Sequence, residues 1–175
     1  PVDVESEDIN NADTVTTQDL VVNGTATGVN QVLQGCRVFL TSKQSISSGT
    51  SSVVQFDGVT YDSDNNYDTT NHEWVCPQTG IYIARGQISF VGGGADDVRQ
   101  ARISNGTNTN PAGEGAENSK LNSGSFVKLG VTTVNLYSQG DPINLQARNG
   151  SNADELQAGD GASRTTFEVV FLGSV

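Results

Sequence analysis

A run of side-chain oxygens between residues 62 and 73 is the part of the sequence best suited to hold a metal ion. The residues that stand at the ligand positions of a helix–loop–helix calcium loop are Asp62, Asp64, Asn66, Asp68 and Glu73. The position where that loop turns sharply calls for glycine and holds Tyr67 instead, and no helical pattern flanks it. Calcium is therefore the one cofactor to consider here, and a solvated acidic turn is the alternative interpretation.

Catalytic machinery is poorly supported. His72 is the only histidine, and it stands next to a predicted strand, so a Ser-His-Asp or Cys-His system would depend on it alone. The segment around it, HEWVC, lacks the second histidine of a helical zinc motif. The glycines at 92–94 precede Asp96 and Asp97, which would repel a phosphate. We expect His72 to be a surface residue and the protein not to be an enzyme.

Two cysteines, Cys36 and Cys76, permit one disulfide bond in an oxidising compartment. Closing a loop of about 40 residues would stabilise the fold by about 3–4 kcal/mol in the chain-entropy model. The sequence favours neither a disulfide between Cys36 and Cys76 nor two free thiols.

Three N-x-[S/T] sequences make Asn23, Asn105 and Asn149 candidate glycosylation sites. Each of these asparagines is followed by glycine, and Asn-Gly is also a strong turn former. A turn is the alternative interpretation at all three positions.

The charge narrows the choice of partners. The sequence has 20 Asp and Glu against nine Lys and Arg, a formal net charge of -11. Such a surface repels phosphate backbones and anionic lipid, which argues against nucleic-acid binding. Plain solubility explains the charge, but a salt-rich exterior that screens the repulsion explains it better. The apolar run 169–172 is far too short for a membrane span, so no membrane insertion is expected.

Alternating apolar residues predict an all-β fold of eight or more short strands. The clearest series is Tyr82, Ala84, Gly86, Ile88 and Phe90; others are Cys36, Val38 and Leu40, then Ile143, Leu145 and Ala147, and finally Phe167, Val169 and Phe171. We expect a short strand at 53–56, either one long strand or a strand pair broken at Gly130 within 126–137, and loops at 43–52, 104–124 and 149–163.

Residues 56–91 also carry a recognisable spacing, F-D…D-x-x-N-x-Y-D…W-V-C-P-x-T-G-I-Y…I-x-F. It resembles the trimeric jelly-roll head of complement 1q and its tumour-necrosis-factor relatives, over about residues 36–175. The resemblance implies an antiparallel two-sheet jelly roll of about 8–10 strands that forms homotrimers. It also implies a packed thiol at Cys76, and it makes Asp96 and Asp97 a second candidate calcium site, near the threefold axis.

Residues 1–35 differ in character from this head. Residues 1–13 are rich in acidic side chains and predict a flexible leader, and 14–35 predict a short β-stalk or linker. The segment LVVNGTATG within 14–35 is similar to short elements of bacteriophage tail-fibre shafts. We expect this region to join the head to other virion proteins.

Together these features favour a non-catalytic homotrimer on a virion surface, as a tail fibre, a capsid turret or a head decoration of a halophile's virus. Its partner would be a host cell-surface glycan or protein, and the long loops 104–124 and 149–163 would form the contact surface. Its location would be extracellular. A structural capsid appendage, a secreted adhesion module and a polysaccharide-cleaving spike are the alternatives.

Overall fold

A computed structural model describes residues 34–91, 98–106, 111–117, 127–150, 154–159 and 164–175. The chain divides into residues 1–31 and residues 32–175, and all of the described residues belong to the second unit, hereafter the head. The expected acidic leader, 1–13, and residues 14–33 of the expected stalk lie outside the described residues.

The described part of the head is built from thirteen strands and a single 3-10 turn, Ser63–Asn65. The strands are β1 (Gly35–Phe39), β2 (Gln44–Ile46), β3 (Ser51–Val53), β4 (Gly58–Asp62), β5 (Tyr67–Asp68), β6 (Glu73–Val75), β7 (Gly80–Val91), β8 (Arg99–Ser104), β9 (Pro111–Glu117), β10 (Val127–Tyr137), β11 (Pro142–Asn149), β12 (Asp154–Leu156) and β13 (Thr166–Gly173). Within these residues there is no α-helix, and no helix is long and apolar enough to cross a membrane.

The strands form two antiparallel sheets. The first has seven strands in the order β2-β12-β7-β13-β1-β4, with β10 on the other edge of β7. The second has six strands in the order β5-β6-β11-β8-β9, with β3 also paired to β11. The predicted all-β fold with two antiparallel sheets is thereby confirmed.

The longest strand, β7, organises the first sheet. The predicted alternation is confirmed: the odd-numbered side chains Ile81, Ile83 and Arg85 lie outside the core, while the even-numbered residues from Gly80 to Phe90 are buried. A Cβ on Gly86 would lie 2.3 Å from Cδ1 of Leu145 on β11, so the two sheets meet at this glycine. Burying one face of each sheet against the other is what closes the core.

Strand β11 departs from the predicted pattern, in which one face is buried and the other is exposed to solvent. Ile143, Leu145 and Ala147 are buried as expected, but Asn144 and Gln146 between them are only 1% exposed. Strands lie on both sides of β11, β6 and β3 on one side and β8 on the other, so neighbouring side chains cover its polar face too. The amide of Gln146 donates to Oδ1 of Asn144 at 3.3 Å, which satisfies part of this buried polarity.

Several expected loops contain strands. Strand β2 lies within 43–52, β9 within 104–124 and β12 within 149–163; β2 and β12 pair with each other across about 110 residues, and β9 pairs with the preceding strand, β8. Their polar composition did not predict them, since a short strand at or near a sheet edge needs backbone partners more than apolar side chains. The strand predicted at 53–56 corresponds to β3, which lies at Ser51–Val53.

Of the two alternatives predicted for 126–137, the structure has the single long strand and not the pair broken at Gly130. Strand β10 pairs with β7 without interruption from Val127 to Tyr137, and Gly130 lies opposite Gln87. Glycine weakens a strand only slightly, and a full ladder of hydrogen bonds on one side outweighs that cost.

Candidate functional site

The acidic run 62–73 forms two adjacent turns. The carboxylate of Asp62 accepts the backbone amides of Asn66 at 3.2 Å and Tyr67 at 3.1 Å. That of Asp68 accepts the amides of Thr70 at 2.7 Å and Asn71 at 3.1 Å. These carboxylate oxygens therefore hold the backbone of their own turns, which is the usual role of aspartate in such loops.

The hydrogen bonds to Asp68 have an electrostatic consequence. Donation from Asn71 and Thr70 holds the pKa of the Asp68 carboxyl below its ordinary value of 3.8, since each donor favours the charged form. Burial acts in the opposite sense on Glu73, raising the pKa of its carboxyl, and the negative charge of Asp68 raises it further.

The structure gives no clustered ligands around these turns. Across the described ranges, no group of three or more His, Cys, Asp or Glu side chains lies close enough together to hold a metal ion. The side chain of Asp64 and all of Asp96 and Asp97 are outside the described part of the chain. What the structure assigns to Asp62 and Asp68 is turn formation.

The two cysteines are separate, buried free thiols, so the disulfide that the sequence left open is not formed. Cys36 lies on β1 of the seven-stranded sheet, whereas Cys76 follows β6 of the other sheet. Burial raises the pKa of the Cys36 thiol, and the charge of Asp62 raises it further. Burial, with a contribution from Asp141, raises the pKa of the Cys76 thiol to about 12. Neither thiol is reactive in such surroundings.

The candidate glycosylation sites have different surroundings. Asn105 is exposed, at the turn that Gly106 completes with a φ of 92°. Asn149 is fully buried at the end of β11, which leaves little room for a glycan in the folded head, and glycosylation there stays a prediction. Asn23 lies outside the described residues.

One end of the seven-stranded sheet presents an apolar outer surface. Across the ladder, Val134 of β10 lies opposite Ile83 of β7, and Ile83 lies opposite Val170 of β13. Leu136 lies opposite Ile81 in the next row. We call Ile81, Ile83, Val134, Leu136, Val170 and Leu172 the outer patch. The three most exposed members, Val134, Leu136 and Leu172, are 54%, 60% and 56% exposed.

A row of charged and polar side chains crosses the same face beside the outer patch. Glu168 of β13 lies between Arg85 of β7 and Arg37 of β1 in the ladder. Arg37 in turn lies opposite Tyr61 of β4. Opposite charges on neighbouring strands of one face stabilise the pairing of those strands.

The sequence predicted a surface residue at His72. In the structure His72 is half-buried and lines a cleft beyond the end of β1. The cleft also receives Ser42, Ser45 and Asp57, from segments that are distant in sequence. Asp57 accepts hydrogen bonds from Thr41, and Nδ1 of His72 lies 3.3 Å from the carbonyl oxygen of Phe56. These contacts tie the carboxylate to Thr41 and the imidazole to a backbone carbonyl, which is unlike the carboxylate-oriented histidine of a hydrolase.

The pKa of Asp57 reflects this setting. Burial acts to raise it, but the hydroxyl and the amide of Thr41 lower it more together, and the nearby His72 lowers it slightly. The net effect is a pKa below the ordinary value of 3.8, so Asp57 is ionised at neutral pH. Sequence reasoning missed this cleft because its residues come from 40–45, 55–57 and 72, and only the histidine drew attention by its type.

The long loops expected to form the contact surface are described only in part. Residues 107–110, 118–124, 151–153 and 160–163 lie outside the described ranges. Their role as a contact surface stays a prediction.

Comparison with known proteins identifies the fold. No protein-family model matches the chain, and no curated protein matches it in sequence. Among solved structures, Eiger TNF from S. frugiperda has a TM-score of 0.58 at 12% identity, covering 82% of this chain and 94% of its own. The globular domain of zebrafish complement 1qA has a TM-score of 0.56 at 10% identity, covering 81% of this chain and 99% of its own.

A third comparison agrees with these two. Murine APRIL has a TM-score of 0.56 at 11% identity, covering 81% of this chain and 100% of its own. The head thus has the jelly-roll fold of the tumour-necrosis-factor and complement 1q domains, and the resemblance seen in residues 56–91 is confirmed for the fold. At these identities the likeness concerns the fold alone.

Proposed function

We propose that this chain is a non-catalytic attachment protein whose heads assemble as homotrimers on the surface of a virion and bind a host cell surface. The observation that carries the proposal is the outer patch, where Val134, Leu136 and Leu172 are more than half exposed in a single chain. Apolar side chains grouped on one sheet face favour burial against another copy of the same surface.

Trimer formation is supported by the position of the patch. Strand β10 is the edge strand of the seven-stranded sheet, and exposed residues on an edge strand invite pairing or packing with another chain. The resemblance to complement 1q and tumour-necrosis-factor heads implies three copies rather than two. Three copies on one axis give avidity to weak individual contacts.

The exterior location is supported by charge. A net charge of -11 on 175 residues opposes assembly at low salt, because like charges on three chains repel each other. The Debye length falls from about 10 Å at ~0.1 M to about 3 Å at ~1 M salt, so concentrated salt removes most of that repulsion. A virion of a salt-loving host is surrounded by concentrated salt. The sequence similarity of residues 14–35 to tail-fibre shafts supports a viral stalk.

The absence of catalysis is part of the proposal. The cleft at His72 holds residue types that hydrolases use, yet Asp57 is bonded to Thr41 and His72 to the Phe56 carbonyl. Binding requires only the hydrogen-bonding groups that the cleft already has, whereas catalysis would need a base oriented toward a nucleophile.

The test has two parts. Light scattering of the full chain at ~0.1 M and at ~1 M salt, conditions that differ in Debye length, should give three times the chain mass in the higher salt. The full chain should then sediment with cell envelopes of a halophilic host and not with envelopes of a freshwater bacterium. A single-chain mass at every salt concentration, or equal binding to both envelopes, would contradict the proposal.

A further inference from the structure

A polar cleft with a volume of about 390 Å³ opens on the side of the head, where β1 gives way to the segment 40–45. Its size falls within the range of small-ligand sites in proteins, about 300–1,000 Å³. The polar side chains that line it are Ser42, Lys43, Gln44, Ser45, Gln55, Asp57 and His72, and Leu40 is the apolar member.

The charged groups of the cleft are held in place by the protein. The backbone amide and the hydroxyl of Thr41 donate to the two oxygens of Asp57, at 2.8 and 2.5 Å. The ammonium of Lys43 donates to Oε2 of Glu155 on β12 at 2.8 Å. The cleft therefore presents a fixed carboxylate beside an ion pair, so these three groups together carry one negative charge.

The wall between these groups is also fixed. Nε2 of Gln44 donates to the carbonyl of Val53 at 2.9 Å, and its Oε1 accepts the backbone amide of Gln55 at 2.8 Å. Gln44 thus bridges from β2 of one sheet to the end of β3 of the other, in place of a backbone ladder. Groups that are already ordered lose little conformational entropy when a ligand arrives.

His72 occupies an unusual backbone position at the cleft. Its φ is 58°, in the left-handed region that few residues other than glycine and asparagine adopt. Nδ1 faces a carbonyl oxygen at 3.3 Å, which can only accept, so the proton lies on Nδ1. In the neutral ring Nε2 is then an acceptor, available to a hydroxyl donor of a ligand.

The lining determines the ligand class. Leu40, the apolar side chain of the lining, is only 2% exposed, so the surface that the cleft offers to a ligand is more polar than apolar. The lining combines hydrogen-bond donors at Ser42, Ser45 and Gln55 with acceptors at Asp57 and His72, which suits a ligand that carries several hydroxyl groups. We propose that this cleft binds a neutral saccharide unit of a cell-surface glycan. The inference rests on the proposed attachment function and gives it a binding site.

The test uses the full chain and a glycan array of neutral oligosaccharides ending in glucose, galactose, mannose or N-acetylglucosamine. The best array ligand is then titrated against three variants. Gln55→Ala removes an exposed amide, and His72→Asn removes the imidazole while keeping a residue that tolerates positive φ. Gln139→Ala is the matched control, because Gln139 is an exposed glutamine in the turn after β10 and does not line the cleft.

We expect each cleft variant to weaken saccharide binding about tenfold, roughly the effect of one lost hydrogen bond, and the control to leave it unchanged. No binding of any neutral saccharide, binding of anionic glycans or peptides alone, or equal binding by all variants would overturn the inference. If the wild type sediments with host envelopes and the cleft variants do so equally, the attachment function survives and the cleft assignment fails. If the wild type binds no envelope, the proposed function itself fails.

Discussion

The hydroxyl of Tyr61 donates a 3.1 Å hydrogen bond to Oε1 of Glu168, although strand β1 lies between the strands that carry them. The bond ties β4 to β13 over the outer face of the sheet, next to Arg37. Burial, and then the charge and the hydrogen bond of Glu168, raise the pKa of Tyr61 from 10.0 to about 12.

Substituting Tyr61 by phenylalanine should lower the free energy of unfolding by about 1 kcal/mol at neutral pH, because one hydrogen bond is lost. The folded state keeps the Tyr61 proton to a higher pH than the unfolded state does. Its contribution is therefore fully present below pH 10 and is lost as the pH rises toward 12. Urea unfolding across this range should give a shallower pH dependence for Tyr61→Phe than for the wild type; equal slopes would contradict this assignment.

The two thiols should behave as buried, unbridged groups. An aromatic disulfide reagent at pH 8 should label neither Cys36 nor Cys76 in the folded chain, since burial and raised pKa values suppress the thiolate. In denaturant without reductant it should label both. Failure to label either residue in denaturant would mean that the chain carries a disulfide after all.

Assembly should depend on the outer patch. Val134→Glu places a charge on an apolar side chain that is 54% exposed, and it should leave the fold intact while reducing the mass in ~1 M salt to that of one chain. Val98→Glu is the matched control, because Val98 is 37% exposed and immediately precedes β8 of the other sheet. The control should stay trimeric. Loss of trimers in both variants, or in neither, would count against the patch as the interface.

Asp62 should stabilise its turn without calcium. Asp62→Ala removes the acceptor of two backbone amides and should cost about 1–2 kcal/mol of unfolding free energy. The loss should be the same in millimolar calcium and in a chelator, as measured by thermal unfolding. A rise in the Tm of the wild type with calcium that Asp62→Ala abolishes would instead establish an ion in this loop.

Gly86 should tolerate no side chain while Leu145 packs against it from the other sheet. Gly86→Ala forces a methyl group to within 2.3 Å of Cδ1 of Leu145 and should destabilise the head by about 1–3 kcal/mol. Shortening the partner in Gly86→Ala/Leu145→Val should recover part of that loss, so the two substitutions should be non-additive. Additive losses in denaturant unfolding would mean that the two sheets do not meet at this pair.

The sequence predicted best where local alternation and burial coincide. Tyr82 to Phe90 follow the period of a strand with one buried face, and the structure buries those residues as expected. Asn144 and Gln146 broke the rule because their burial comes from strands on both sides, which the local pattern does not contain. The choice between one long strand and a break at Gly130 stayed open for the same reason, since that strand is held by pairing with β7 about 45 residues earlier.

The candidate sites were harder to predict than the fold. The acidic run drew attention by its spacing, yet Asp62 and Asp68 use their oxygens on nearby amides, a local use that ligand spacing cannot distinguish from metal binding. The cleft went unnoticed because Ser42, Gln55 and His72 meet only after three separate segments have folded. No periodicity or motif connects them.

In the proposed attachment function, strand β1 would carry mechanical tension. It begins at Gly35, beside the point where Gln34 accepts the amide of Phe171 and the side-chain amide of Gln78, and it ends beside Leu40 at the cleft. A pull between the upstream chain and a glycan held in the cleft would therefore run along this strand. Hydrogen bonds to β13 and β4 lie across that direction on both edges, so the tension would load them in shear, all at once rather than one by one.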